Sequence, residues 1–137
     1  MERVSCLVII GPTAVGKSNL IYSSFPEAPL HVISADSMQV YRGFDIATAT
    51  PGSEQLATVK HTGINEKNPS DTYDVQEFLA VADRALRRAN DNGLTPVLIG
   101  GTALYLKAFL YGLDEMPDKN PEYRQELRET ANSRGGD

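Results

Sequence analysis

The chain has 137 residues, 41% of them hydrophobic and 23% charged, with 13 basic against 18 acidic side chains and a formal net charge of −5. That is the size and composition of one globular domain with a real core, and no apolar run approaches the ~20 residues that cross a bilayer. The acidic balance disfavours a nucleic-acid partner without excluding one, because Lys and Arg on phosphates dominate such binding and a local basic face can sit on an acidic protein.

The opening segment MERVSCLVII has no small-residue cleavage site, so it is not read as a signal peptide. The single cysteine, Cys6, cannot make an internal disulfide and reads as a small buried hydrophobe. These features point to the cytoplasm. Residues 4–10, VSCLVII, are predicted as a short buried strand that ends at Gly11. The loop Gly11, Pro12, Thr13, Ala14, Val15 and Gly16, with Lys17 and Ser18 at its end, fits G-x-x-x-x-G-K-[ST]. A helix is expected over 17–24. Glycines in such a loop let successive N–H groups turn inward onto an anion, and the helix adds its positive end. Lys17 supplies a full charge to terminal phosphate oxygens, and the Ser18 hydroxyl is suited to ligate Mg²⁺.

LHVISAD, residues 30–36, is a second buried strand with Asp36 at its carboxyl end. Residues 42–71 carry Gly, Pro, Ser and Asn throughout and read as loop-rich, with VKHTGI (59–64) as a minor strand. Val75, Phe78, Leu79, Ala82, Ala85, Leu86 and Ala89 then recur at helical spacing, with Asp71 or Thr72 as the cap and Gly93 and Pro96 beyond the end. TPVLIGG (95–101) is a third buried strand, and TALYLKAFLYG is an apolar helix closed by Gly112. Strands alternating with helices imply a parallel sheet with helices on both faces, and ligands gather at the carboxyl ends of its strands. Gly11, Asp36 and Gly100 therefore belong on one edge. The expected fold is three-layer α/β/α of the P-loop-containing nucleoside triphosphate hydrolase type, thin at three main strands and therefore incomplete. At Asp114 the composition turns charged, leaving only Tyr123, Leu127 and Ala131 in an apolar stripe, with Asn120 and Pro121 as a helix start. Residues 1–113 are thus read as the core and 114–137 as the start of a helical insertion.

Each candidate has a plainer role beside it. Asp36 is placed to ligate Mg²⁺ or to take a proton, or it simply ends a turn. The third strand ends in VLIGG without the aspartate that positions Mg²⁺ in nucleotide hydrolases. Thr102 follows, as a site hydroxyl or as a helix N-cap. Gln39 has a donor and an acceptor, suited to a base edge. His61 reads as structural, and Arg84, Arg87 and Arg88 as a solvated face.

GPTAVGKS, ISADSMQVYRGFDIATATP and VLIGGTALYLKAFLYGL, in this order, closely resemble the tRNA dimethylallyltransferases, also called tRNA isopentenyltransferases. The resemblance spans residues 4 to about 128. It implies that the loop grips the diphosphate of dimethylallyl diphosphate rather than splitting ATP, and that the dimethylallyl group passes to N6 of an adenine beside the anticodon. It further implies Asp36 as general base, with Lys17 and Thr102 at the reacting centre. Ser37, Met38 and Gln39 would contact tRNA with Asp36 and Thr102, Arg124 would be an RNA-contacting arginine, and Mg²⁺ would be the cofactor; no protein partner is implied. The family pattern is departed from at Thr50, where a lysine is usual, at His61, one of a usual pair, and at Ala103, where glycine is common. Family members are also longer, so the resemblance implies that this chain is the N-terminal part of such an enzyme. A small-molecule kinase, an adenylate dimethylallyltransferase and a non-catalytic diphosphate-binding remnant are the competing readings.

Overall fold

A computed structural model describes residues 5–114 and 120–134. Four parallel strands form one sheet: β1 (Leu7–Ile10), β2 (Leu30–Ala35), β3 (Lys60–Thr62) and β4 (Thr95–Gly100), in the order β1-β4-β2-β3. The helices are α1 (Lys17–Ser24), α2 (Ser53–Thr58), α3 (Val75–Asp91), α4 (Ala103–Tyr111) and α5 (Pro121–Arg134). Among the described residues no helix is long and apolar enough to cross a membrane.

Strand alternation sends successive side chains to opposite faces and so builds two cores. On one face Ile33, Ala35 and Leu98 pack with Phe78, Ala82 and Ala85 of α3 and Tyr105 and Leu106 of α4. Phe78 and Tyr105 stack there with ring centroids 4.4 Å apart. On the other face Val32, Val97 and Ile99 pack with Ile21 of α1 and with Val59. This is the expected three-layer α/β/α arrangement. Cys6 joins the first core, where burial pushes its thiol pKa up, as suits a small hydrophobe.

The fold corrects the sequence reading at several points. The segment VKHTGI, read as a minor strand, is one: its three-residue strand joins the sheet, with His31, Val32 and Ile33 in register with Lys60, His61 and Thr62, so the described residues hold a fourth strand beside the three main ones. The region 42–71 is not all loop, since α2 forms inside it. Its start is marked by the Gly52 N–H donating to Gln55 Oε1 at 3.0 Å. The long helix α3 is capped by Asp74, whose carboxylate accepts from the Glu77 N–H, and not by Asp71 or Thr72. Asp71 instead accepts from the Asn68 N–H in the preceding turn. Asn120 does cap α5, its Oδ1 accepting from the Tyr123 N–H at 2.9 Å. No residue of α5 is buried. The expected strand residue Val4, and 115–119 and 135–137 of the expected insertion, lie outside the described residues.

Candidate functional site

Register aligns three strand ends. Ile10 and Ala35 both pair with Gly100, so the chain leaves β1, β4 and β2 side by side. Closeness here depends on glycine. A Cβ on Gly100 would lie 2.2 Å from the Ala35 carbonyl oxygen, and one on Gly101 would lie 3.0 Å from that of Gly11. The Thr102 N–H then donates to the Ala35 carbonyl at 3.3 Å, tying the exit of β4 to that of β2.

These ends border a cavity of about 760 Å³. Its first wall is the glycine-rich loop. Ala14 (φ 66°) and Gly16 (φ 89°) take left-handed backbone conformations that curl the loop into α1. The helix starts without a side-chain cap and without an acidic residue in its first turn, so its N–H groups remain open to an anion. Lys17 Nζ donates to the carbonyls of Gly11 (2.8 Å) and Pro12 (2.6 Å), which holds the ammonium over the loop. Pro12, Thr13, Ala14, Gly16, Lys17 and Ser18 line the cavity, while Gly11 serves it through its carbonyl and Val15 points to solvent at 58% exposure.

The second wall is the segment after β2. Asp36 Oδ1 accepts from the N–H groups of Met38 (2.8 Å) and Gln39 (3.3 Å). Its second oxygen, Oδ2, takes no hydrogen bond among the described residues. Asp36, Ser37, Met38, Gln39 and Thr102 all line the cavity. Thr102 occupies the N-cap position of α4 but makes no side-chain cap. Its hydroxyl oxygen accepts from the Ser37 N–H at 3.1 Å, so the plainer capping role fails and the residue bridges the two strand exits. Gln39 uses one donor and one acceptor of its amide inside the protein. Its amide accepts from Ser34 Oγ (2.8 Å) and donates to the Thr48 carbonyl (3.0 Å). Arg124 lies exposed on α5 and is not a lining residue.

Sequence reasoning missed the third wall. Phe44, Ala47, Thr48, Ala49, Thr50, Pro51 and Gln55 line the cavity from the region read as loop. The available signal was the family-like block itself, which runs unbroken to Pro51. His61, read as structural, is so: its Nδ1 meets the Val59 carbonyl at 2.6 Å and its Nε2 the Tyr22 hydroxyl at 2.8 Å, joining β3 to α1. Arg87 pairs with Asp83 one helical turn away, as a solvated face predicts. Among the described residues no group of three or more His, Cys, Asp or Glu is placed to hold a metal ion.

The family model described as IPP transferase matches residues 39–137. A tRNA dimethylallyltransferase of Polaromonas sp. is 42% identical over 129 residues, covering 94% of this chain and 39% of the relative. That of Chlorobaculum parvum is 38% identical over 137 residues, covering 100% of this chain and 44% of the relative. The crystal structure of the full-length tRNA isopentenylpyrophosphate transferase from Bacillus halodurans matches with a TM-score of 0.77 at 36% identity, over 97% of this chain and 44% of that one. A eukaryotic dimethylallyltransferase acting on tRNA matches with a TM-score of 0.77 at 26% identity, over 91% of this chain and 32% of that one. The chain spans about two fifths of the length of the curated relatives it matches.

Proposed function

The chain belongs to the IPP transferase family, and from that premise we propose that it serves the transfer of a dimethylallyl group from dimethylallyl diphosphate to N6 of an adenine in tRNA. One observation carries the reading: an open phosphate loop and a carboxylate with a free oxygen line the same cavity. The loop N–H groups and Lys17 bind the diphosphate. They stabilise the charge that grows on it as the bond from the allylic carbon to the bridging oxygen breaks, its electron pair leaving with the diphosphate. The adenine amine forms the new carbon–nitrogen bond, and Asp36 Oδ2 accepts its proton. The two N–H groups on Oδ1 hold the carboxylate in place, and Thr102 holds the Asp36–Ser37 turn through the Ser37 N–H. The target base must leave its stack to enter a cavity of this kind.

The donor set fits Mg²⁺ shared with a diphosphate. The Ser18 hydroxyl lines the cavity and makes no hydrogen bond within the described residues, and magnesium commonly takes few protein ligands besides substrate oxygens and water. Ser18 would hold it, and the ion supplies charge neutralisation to the leaving diphosphate. A kinase reading lacks support at β4, which runs into Gly101 and Thr102 with no acid.

The test is to incubate the chain with tRNA, Mg²⁺ and dimethylallyl diphosphate, digest the RNA and look for prenylated adenosine by mass spectrometry. ATP with hydroxyl acceptors runs in parallel. Asp36→Asn is expected to lower turnover at least about 100-fold, the scale of a lost general base, while sparing diphosphate binding. Phosphorylated acceptor without prenylated adenosine would overturn the reading.

A further inference from the structure

We propose that Gln39 is a positioning residue that latches the 44–51 segment as the apolar wall of the cavity, and so sets a preference for a diphosphate with a hydrocarbon tail over bare diphosphate. The preference rests on the reading of the cavity as a prenyl diphosphate site; the latch does not.

The segment brings Phe44, Ala47, Ala49 and Pro51 to the cavity. Most of its hydrogen bonds are internal. The Thr48 N–H donates to the Phe44 carbonyl at 3.0 Å, the Thr50 N–H to the Asp45 carbonyl at 2.9 Å, and the two threonine hydroxyls meet at 2.8 Å. Among the described residues, two side chains tie it to the body. Asn65 Nδ2 donates to Asp45 Oδ1 at 2.7 Å, and Gln39 Nε2 donates to the Thr48 carbonyl at 3.0 Å. The Gln39 tie falls just before Ala49, whose φ of 48° is a conformation that a side chain-bearing residue holds only under constraint.

Gln39 is anchored at its other end. Ser34, buried in β2, donates to Gln39 Oε1 at 2.8 Å and thereby turns the amide NH₂ toward Thr48. The backbone of Gln39 is held as well. Its N–H donates to Asp36 Oδ1, and its carbonyl accepts from the Asn65 N–H at 2.9 Å. One residue therefore joins the sheet, the Asp36 turn and the apolar wall. The diphosphate cradle comes from other elements, β1 and α1. Loosening the latch should weaken the grip on the hydrocarbon and leave the grip on the anion.

Gln39→Glu separates the two ends of the latch. The carboxylate still accepts from Ser34 but cannot donate to Thr48. Hydrogen exchange should rise at Thr48, Ala49 and Thr50 and stay unchanged over residues 11–18. Calorimetric titrations with dimethylallyl diphosphate and with inorganic pyrophosphate, both with Mg²⁺, should show the affinity ratio falling about tenfold, the scale of one hydrogen bond. Pyrophosphate binding should hold within about twofold. At acid pH the introduced carboxyl is protonated, donates again, and should move both readouts back toward wild type at that pH. Ser34→Ala should give the same pattern more weakly. Unchanged exchange over 44–51, or equal loss for both ligands, would overturn the proposal. Failure of the wild-type chain to bind either ligand would overturn the prenyl-diphosphate reading and with it the preference, while the exchange measurement still decides the latch.

Discussion

β1 and β2 run parallel in the same sheet with opposite fates. β1 is Leu-Val-Ile-Ile, yet Leu7 is 46% and Ile10 61% exposed. β2 carries a histidine and a serine, yet all six of its residues are buried. β2 lies between β4 and β3, with helices on both faces, whereas β1 lies at the outer edge with β4 as its neighbour. Burial is conferred by position in the sheet, and composition only makes a strand suited to it. The polar residues of β2 are tolerated because they find partners. His31 Nε2 meets Thr62 Oγ1 at 2.8 Å and Ser34 holds Gln39, although His31 Nδ1 is buried without a hydrogen-bond partner among the described residues.

Gly100 pairs with both strands, and changing it should break the comparison altogether. The added methyl group of Gly100→Ala meets the Ala35 carbonyl, a backbone atom with no side-chain freedom to yield. A loss of stability at or above about 3 kcal/mol is expected, read as a lowered urea midpoint or a failure to fold. A Gly100→Ala chain of wild-type stability would show that β2 and β4 do not approach as described.

The comparison is sharpened by truncating one isoleucine in each strand. Ile33→Ala removes a side chain that is 1% exposed and should lower stability by about 2–5 kcal/mol. Ile10→Ala, at 61% exposure, should change it by no more than about 1 kcal/mol. Equal losses in urea unfolding would mean that β1 is covered in solution.

The smallest expected effect is with pH. Burial lowers the pKa of His31 below its ordinary 6.5, helped by the charges of Lys60 and Arg88 and by the neighbouring His61, which disfavours a second proton beside it. Burial lowers that of His61 as well, against a hydrogen bond to the Val59 carbonyl that raises it. The folded state holds both rings neutral, so the unfolded chain takes up protons first. Stability should be complete above about pH 6.5 and fall as the pH drops below it. Urea midpoints across this range should show the slope, and His31→Gln should reduce it. A wild-type slope of zero or of opposite sign would contradict the buried neutral pair.

Much of the candidate site was legible because the glycine-rich loop is a local device. Its glycines, Lys17 and Ser18 are placed by backbone conformation and the start of one helix, and both are written in consecutive residues. Asp36 and Thr102 were legible as strand-end residues. The link between their two turns was not, since the Thr102 hydroxyl finds Ser37 across 65 positions of chain. Apart from its place in the family-like block, the 44–51 wall was hard to read for a related reason. Without periodicity its residues look like any loop, and among the described residues it is Gln39, oriented by Ser34, and Asn65 whose side chains bond it to the body.

By itself the sequence determined the alternation of strand and helix, the glycine-rich loop that leads into α1, and the family likeness, because each rests on short-range periodicity or on contiguous motifs. Tertiary structure alone decided that β3 joins the sheet, that β2 rather than β1 is central, that Asp74 caps α3, and that Gln39 faces inward. Each of these depends on which distant residue supplies a hydrogen-bond partner or covers a face, and that is settled only when the sheet closes around β4.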